Sequence, residues 1–382
     1  MSDENERDNS QVLAASVRDV RYFAALLRGV NFGNRATVNI SEVGLTVSVE
    51  DARTLLGTAY IFRDVFDDYT YNPEALSSSQ DSSQKEDEDE EQRNTAFEIP
   101  LNTFIECLNV FGTAGGVATT PKFRQWRRDD DLDRDERNDD EAGPSDRARS
   151  KASGNARIDQ FFDSEKGTGM RMSYAGAGYP LSMLVAEDSK GPTATCEVTT
   201  FDPEAHLELP FETTETSVSS SRFTTTLTER CSSSQSFENN PEGTRSSWLR
   251  DALSELDPSC EKLTITGNPP PPPGRAARAS IQPRLRLQAA GTFGSTEMDY
   301  PSDKEVLETC ECENTVSFSY RFSHISKTLR ALQSSSKTSL RINEEGLLSL
   351  QFLMPSPKSR AGGGGGASAF IEFRVSLSRA IS

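Results

Sequence analysis

Two distant stretches of this chain share one pattern. Residues 37–45 read TVNISEVGL and residues 339–347 read SLRINEEGL: small hydroxyl, aliphatic, polar, Ile, polar, Glu, any residue, Gly, Leu. Sliding one copy onto the other without a gap puts Leu27-Arg28-Gly29-Val30 on Leu329-Arg330-Ala331-Leu332. It also puts Phe23 on Ile325 and Val20 on Phe322. The match therefore holds through a stretch of helical period and on into one of strand period. A chain built this way uses a helix-then-hairpin unit at least twice.

The rest of the chain sorts into strand-like, helix-like and low-complexity pieces. QVLAASV, RATVNISEV, LTVSVED, GTAYIFRDVF, DDYTYN, MRMSYA, LSMLVAE, ATCEVTTF and FTTTLT are short, and either β-branched or alternating. So are KLTIT, RLRLQAA, VSFSYRF, TSLRINE, LLSLQFLM and FIEFRVSLS. All read as half-buried antiparallel strands. Four helices are expected, over residues 18–30, 101–111, 246–256 and 324–332. The fold class is α+β, with antiparallel sheets carrying helices on one side. Residues 1–10 read as a flexible N-terminus and 11–200 as a first domain, with disordered insertions at about 77–95 and 121–167. An interdomain connector follows at 201–221. A second domain, 222–382, carries insertions at about 229–245, 268–282 and 355–369. Those insertions are acidic, Ser/Asn-rich, Pro-rich or Gly-rich, and lack the apolar periodicity that offsets ordering entropy.

Charge narrows the function. With 59 acidic and 41 basic residues the net charge is −18, which argues against coating nucleic acid or anionic membrane by charge alone. No apolar run reaches membrane-span length, and MSDENERDNSQ has no signal-peptide core. Six cysteines and two histidines show neither a disulfide framework nor zinc spacing, and reduced thiols fit cytosol or nucleus. Cys310 and Cys312 read as strand residues on one face.

Cations nevertheless gather on helices. Arg18, Arg21, Ala25 and Arg28 step by 3, 4 and 3 opposite an apolar face of Val17, Val20, Phe23, Ala24, Leu27 and Val30. On the last helix Lys327 and Arg330 sit away from Phe322, Ile325, Leu329 and Leu332. In the repeat register Arg28 matches Arg330, and Arg250 takes a comparable place on the third helix. Two readings stay open: a solvated face, or a positive face that follows a phosphate backbone without reading bases.

Chemistry has few footholds. Asp202-x-Glu204 has the spacing by which metal-dependent 3′–5′ exonucleases hold two Mg²⁺ ions, but the further Tyr or His four residues ahead of an Asp is missing downstream. Tyr60-x-x-x-Asp64 has that spacing upstream. No phosphate-cradling Gly-Lys-Ser/Thr loop occurs. No catalytic residue, metal or cofactor is expected. In one insertion Asn155, Ile158, Phe161 and Phe162 have the steps of peptides that dock on sliding clamps, with Asn155 where Gln is usual. The favoured alternative is that Phe161 and Phe162 start the strand that continues to Met170-Arg171-Met172.

These segments, in this order, resemble the Rad-one subunit family of the eukaryotic checkpoint sliding clamp, the nine-one-one complex, a relative of PCNA. The resemblance is carried by VRDVRYFAALLRGVNFGNRATVNISEVGLTVSVEDARTLLGTAYIFRDVF, RMSYAGAGYPLSMLVAED, LRDALSELDPSCEKLTIT, FGSTEMDYP and INEEGLLSLQFLM. It implies two similar clamp domains with two helices each on an inner face, and a ring of three different subunits. It further implies a nuclear, non-enzymatic protein that a clamp loader places around double-stranded DNA at damage, where it recruits checkpoint and repair proteins. Arg18, Arg21, Arg28, Arg250, Lys327 and Arg330 would then line the pore. Residues 193–200 and 285–290 would be the free strand edges that meet neighbours. The remaining alternatives are a 3′–5′ exonuclease and a self-trimerising replication clamp.

Overall fold

The computed structural model describes residues 11–73, 95–114, 167–187, 191–205, 207, 209, 221–228, 248–270, 282–300, 306–355 and 369–377. The expected insertions lie almost wholly outside the described residues, and so do residues 1–10 and Asn155, Ile158, Phe161 and Phe162.

Both copies of the repeated phrase fold as strand, tight turn, strand. The first runs through β2 (Arg35–Ser41) into β3 (Gly44–Asp51), and the second through β16 (Lys337–Asn343) toward β17 (Leu348–Leu353). The shared glycine serves both turns for related reasons. Gly346 has φ +80°, which only glycine adopts without strain. At Gly44 (φ +148°) a Cβ would lie 2.2 Å from the Ile61 carbonyl oxygen. Each phrase follows a helix, α1 (Val20–Gly29) or α4 (Phe322–Ser334).

Among the described residues one unit, strand–helix–strand–strand–strand, occurs four times in chain order. The first is β1 (Leu13–Val17), α1, β2, β3 and β4 (Leu55–Phe62), with β5 (Asp68–Tyr71) after it. The second is β6 (Thr95–Pro100), α2 (Leu101–Leu108), β7 (Gly169–Tyr174), β8 (Leu181–Ala186) and β9 (Thr193–Val198). The third is β10 (Ser221–Thr228), α3 (Trp248–Ser254), β11 (Lys262–Gly267), β12 (Leu285–Gly291) and β13 (Gly294–Tyr300), followed by β14 (Leu307–Cys312). The fourth is β15 (Val316–Arg321), α4, β16, β17 and β18 (Phe370–Val375). The four expected helices are thus present, although α4 begins two residues earlier than its apolar spacing suggested.

The units interlock by exchanging their first strands. β6 pairs with β2 and β1 with β7, while β10 pairs with β16 and β15 with β11, all antiparallel. Among the described residues three sheets result, in the orders β5-β1-β7-β8-β9, β14-β10-β16-β17-β18-β4-β3-β2-β6 and β13-β12-β11-β15. The nine-stranded sheet is sewn at its middle by β4 and β18, from Leu55 opposite Val375 to Tyr60 opposite Phe370.

Alternation along β18 separates the two faces of that sheet. Ile371, Phe373 and Val375 are buried on the helix side, where α1 and α4 pack over the β4–β18 seam. The helices approach closely there: a Cβ on Gly29 would lie 3.5 Å from the Ala331 Cβ and 2.4 Å from Ile371 Cδ1. Val20, Phe23, Ala24 and Leu27 of α1 fill the space against the sheet, and Phe23 meets Phe104 of α2 edge-on at 6.0 Å. Val20, Phe23 and Leu27, fully buried, each contribute about 1.5–3 kcal/mol before entropy is counted.

Candidate nucleic-acid face and assembly edges

The helices touch in the succession α2, α1, α4, α3. The six cations expected on them differ in freedom. Arg18 precedes α1, with a side chain 91% exposed and its Nε 4.0 Å from Asp67. Arg330 is exposed and donates to the Asn31 carbonyl at 3.3 Å. Arg21 is exposed but grips Asp19 through both carboxylate oxygens, while Asp19 also caps the helix by accepting from the Arg21 amide at 2.9 Å. Burial acts to raise the Asp19 pKa, yet the bonds and charge of Arg21 outweigh it and hold the carboxyl below its usual range.

The other three are tied down. Arg28 is half-buried and donates to the Ala114 carbonyl beyond α2, and burial pulls its pKa down. Arg250 of α3 is two-thirds covered and sits 3.4 Å from Asp251. Lys327 lies on Asp51, at the end of β3, with its ammonium 5.8 Å from the Phe32 ring centre. Beside them His324 is 4% exposed, 3.9 Å from Asp51 and 3.5 Å from the Thr54 hydroxyl. Burial, then Lys327 and Arg321, keep the His324 pKa below its usual value despite the pull of Asp51. Lys327 thus joins the first unit to the fourth. A helical wheel places it on the polar side but cannot see a carboxylate arriving from sequence position 51.

The opposite face of the nine-stranded sheet is polar and carries residues 201–205, 207 and 209. Phe201 exchanges backbone hydrogen bonds with Glu98 at 2.8 and 2.9 Å, and Arg35 stacks on its ring at 4.2 Å. The Glu204 amide donates to Glu98, the Leu207 amide donates to Glu50, and Arg374 donates to the Leu209 carbonyl. Asp202 and Glu204 are exposed in this segment. Among the described residues no three His, Cys, Asp or Glu side chains come together as a metal site. Glu372 is 4% exposed and fully engaged, by Ser349 at 2.7 Å, Arg374 at 2.9 Å and Gln351 at 3.3 Å. No helix among the described residues is long and apolar enough to cross a membrane.

One expected assembly edge is corrected. β12 (residues 285–291) is not an edge but an interior strand, paired with β11 on one side and β13 on the other. Its Leu285, Leu287 and Ala289 are buried because they face the core of a sheet that continues beyond them. The outermost strand is β13, reached from β12 by a turn in which Phe293 is 87% exposed. The GTFG spacing between two alternating runs is the signal for that hairpin. β9, in contrast, does terminate its sheet, pairing only with β8 among the described strands.

Four interlocked strand–helix–strand–strand–strand units, with their helices in succession, define a protein of the DNA-clamp class. The chain belongs to the Repair protein Rad1/Rec1/Rad17 family, whose model matches residues 12–233 and 243–354. It is 25% identical to the human "Cell cycle checkpoint protein RAD1" over 349 residues, covering 91% of this chain and 88% of that one. It is 25% identical to the "DNA repair exonuclease REC1" of Mycosarcoma maydis over 450 residues, 92% of this chain and 89% of the relative. With the "DNA damage checkpoint control protein rad1" of Schizosaccharomyces pombe it shares 23% over 356 residues, 93% and 83% of the two chains.

Proposed function

We propose that this chain is a non-enzymatic subunit of a nuclear heterotrimeric sliding clamp, loaded around double-stranded DNA at damage and acting in checkpoint signalling and repair. One observation carries the reading. Of the four equivalent last strands, β4 and β18 pair with each other, while β9 and β13 end their sheets with no partner among the described strands. Such edges suit pairing with neighbouring subunits, and closure into a ring removes them. The two halves are then two clamp domains, with helices toward the enclosed duplex and the segment at 201–205 on the outer wall. The names of the human and fission-yeast relatives support the checkpoint role.

A sliding ring holds DNA by enclosure, so a few cations suffice on an acidic subunit, and each added phosphate contact would raise friction. Arg18 and Arg330 are the freest of the six proposed pore residues, with Arg21 next. Co-expression with the other two checkpoint-clamp subunits tests the reading. A 1:1:1 complex retained on circular DNA and released by linearisation is expected, and a chain that co-purifies with neither subunit refutes it.

The second reading, a 3′–5′ exonuclease, is favoured by the name of the Mycosarcoma maydis relative and by Asp202-x-Glu204. Metal-dependent digestion of labelled DNA that Asp202→Ala abolishes would establish it.

A further inference from the structure

Two thiols outside the faces described above lie against each other where α2 packs on β9. β9 alternates: Thr193, Thr195 and Glu197 are exposed, while Ala194, Cys196 and Val198 turn toward the helix layer. Cys107, in the last turn of α2, meets Cys196 there. Both side chains are half-buried and rest on the hydrophobic core. The Cys107 S–H donates to the Cys196 sulfur. Burial first, then that bond and the charges of Cys196 and Glu106, push the Cys107 pKa up to about 11.

Cys310 and Cys312 are also neighbours, but they stand two residues apart on β14. Same-face residues of one strand hold their Cβ atoms about 6.6 Å apart, against about 3.8 Å in a disulfide. Cys312 is moreover engaged, donating to the Asn314 carbonyl at 2.8 Å. Cys107 and Cys196 come instead from separate elements whose packing has already set sulfur against sulfur, so a bond between them asks little of the backbone. β9 is also the strand with most to gain from a tether. It pairs only with β8 among the described strands, and α2 covers its inner side. An edge strand held from one side frays more readily than a central one.

We infer that Cys107 and Cys196 form a redox-active dithiol, which glutathione disulfide closes to an intrachain disulfide that staples the open edge β9 to α2. Cys196, on the free edge, attacks first. The glutathione S–S bond breaks, one glutathione leaves with the Cys196 proton, and the other stays on Cys196 as a mixed disulfide. The Cys107 thiol, held protonated, is the poorer first attacker. Once Cys196 carries glutathione it can no longer ionise, so its charge stops opposing that of Cys107. The Cys107 sulfur then attacks the Cys196 sulfur, and the second glutathione leaves with the Cys107 proton. Each cysteine gives up one electron, and one glutathione disulfide becomes two glutathiones. Excess glutathione reverses both steps, so the staple follows the thiol balance of its surroundings.

The test equilibrates the full reduced chain with glutathione disulfide, blocks the remaining thiols, and maps the cysteine peptides by mass spectrometry with and without reduction. In wild type the Cys107 and Cys196 peptides should be joined, and dithiothreitol should part them. Cys107→Ser should trap glutathione on Cys196, whereas Cys196→Ser should leave Cys107 largely unmodified. Hydrogen exchange then reads the staple: amides of β9 should exchange roughly tenfold more slowly in the oxidised wild type than in the reduced form. The wild-type arms alone decide the linkage and the staple, so a variant that misfolds does not blunt the test. A wild type without the joined peptide, or glutathione on Cys107 in preference to Cys196 in the variants, would overturn the inference. So would β9 exchange that oxidation leaves unchanged.

Discussion

Replacing Lys327 and Arg330 separately by Met distinguishes a structural joint from a DNA-facing charge. The sequence puts both cations on one stripe, three residues apart, but the structure gives them different surroundings. Lys327 and Asp51 have side chains 31% and 35% exposed. Fully exposed pairs are worth about 0.2–1 kcal/mol, while losing one partner of a fully buried pair costs about 3–5 kcal/mol. Solvent on a third of each side chain screens this pair, which puts Lys327→Met at about 1–2 kcal/mol. Methionine keeps the apolar stem over Phe32, so most of that loss is the charge. A chain of this size should then melt about 2–6 °C lower. Arg330, bonded among the described residues only to a carbonyl at 3.3 Å, should change stability by less than about 0.5 kcal/mol when replaced. In the assembled clamp the order should reverse. Arg330→Met removes up to one phosphate contact and should lower the slope of log K against log salt by about 0.9, while Lys327→Met leaves the slope unchanged. Thermal melts of the chain and salt-series binding of the clamp to nicked circular DNA supply both measurements. A Lys327 variant with an unaltered melt and a reduced salt slope would refute this assignment.

Other outcomes follow from the same geometry. Arg18→Ala should reduce the salt slope by about 0.9 with no change in the melt, since its side chain is 91% exposed. Gly267→Ala should cost about 1–3 kcal/mol by urea unfolding, because the new Cβ would lie 2.2 Å from a ring carbon of Phe223, itself fully buried; adding Phe223→Leu should recover part of it. His324 has a folded pKa below 6.5, so between that value and 6.5 the unfolded chain binds more protons. Its contribution to stability is whole above pH 6.5 and falls as pH drops through the folded pKa, and His324→Gln should flatten that limb of a pH–stability curve. Asp202→Ala should leave DNA in a nuclease assay as intact as the parent does.

What could be read beforehand was local. Apolar spacing located all four helices, and the shared Glu-x-Gly-Leu marked two equivalent turns, because period and turn chemistry act over a few residues. The exchange of first strands could not be read: β6 resembles a strand whatever it pairs with, and its partner β2 is chosen by packing across a sheet. The same blindness made residues 285–290 look like an edge, since Leu285 and Leu287 alternate with Arg286 and Gln288 in an interior strand as they would on a rim. It also made Lys327 look free. The carboxylate that holds it lies 276 residues earlier, and nothing in a helical wheel points so far.

The seam between β4 and β18 has a consequence for how the molecule is made. Tyr60 and Phe370 lie side by side although 310 residues separate them, so the broadest sheet stays in two pieces until β18 has been synthesised. A nonsense change just before Phe370 would remove only β18 from the described strands. It would nonetheless leave two four-stranded remnants, β6-β2-β3-β4 and β14-β10-β16-β17, each with a raw border where the other should have been. Such borders attract any extended chain, and clearance by quality control, rather than a weakened clamp, is the fate expected of that product.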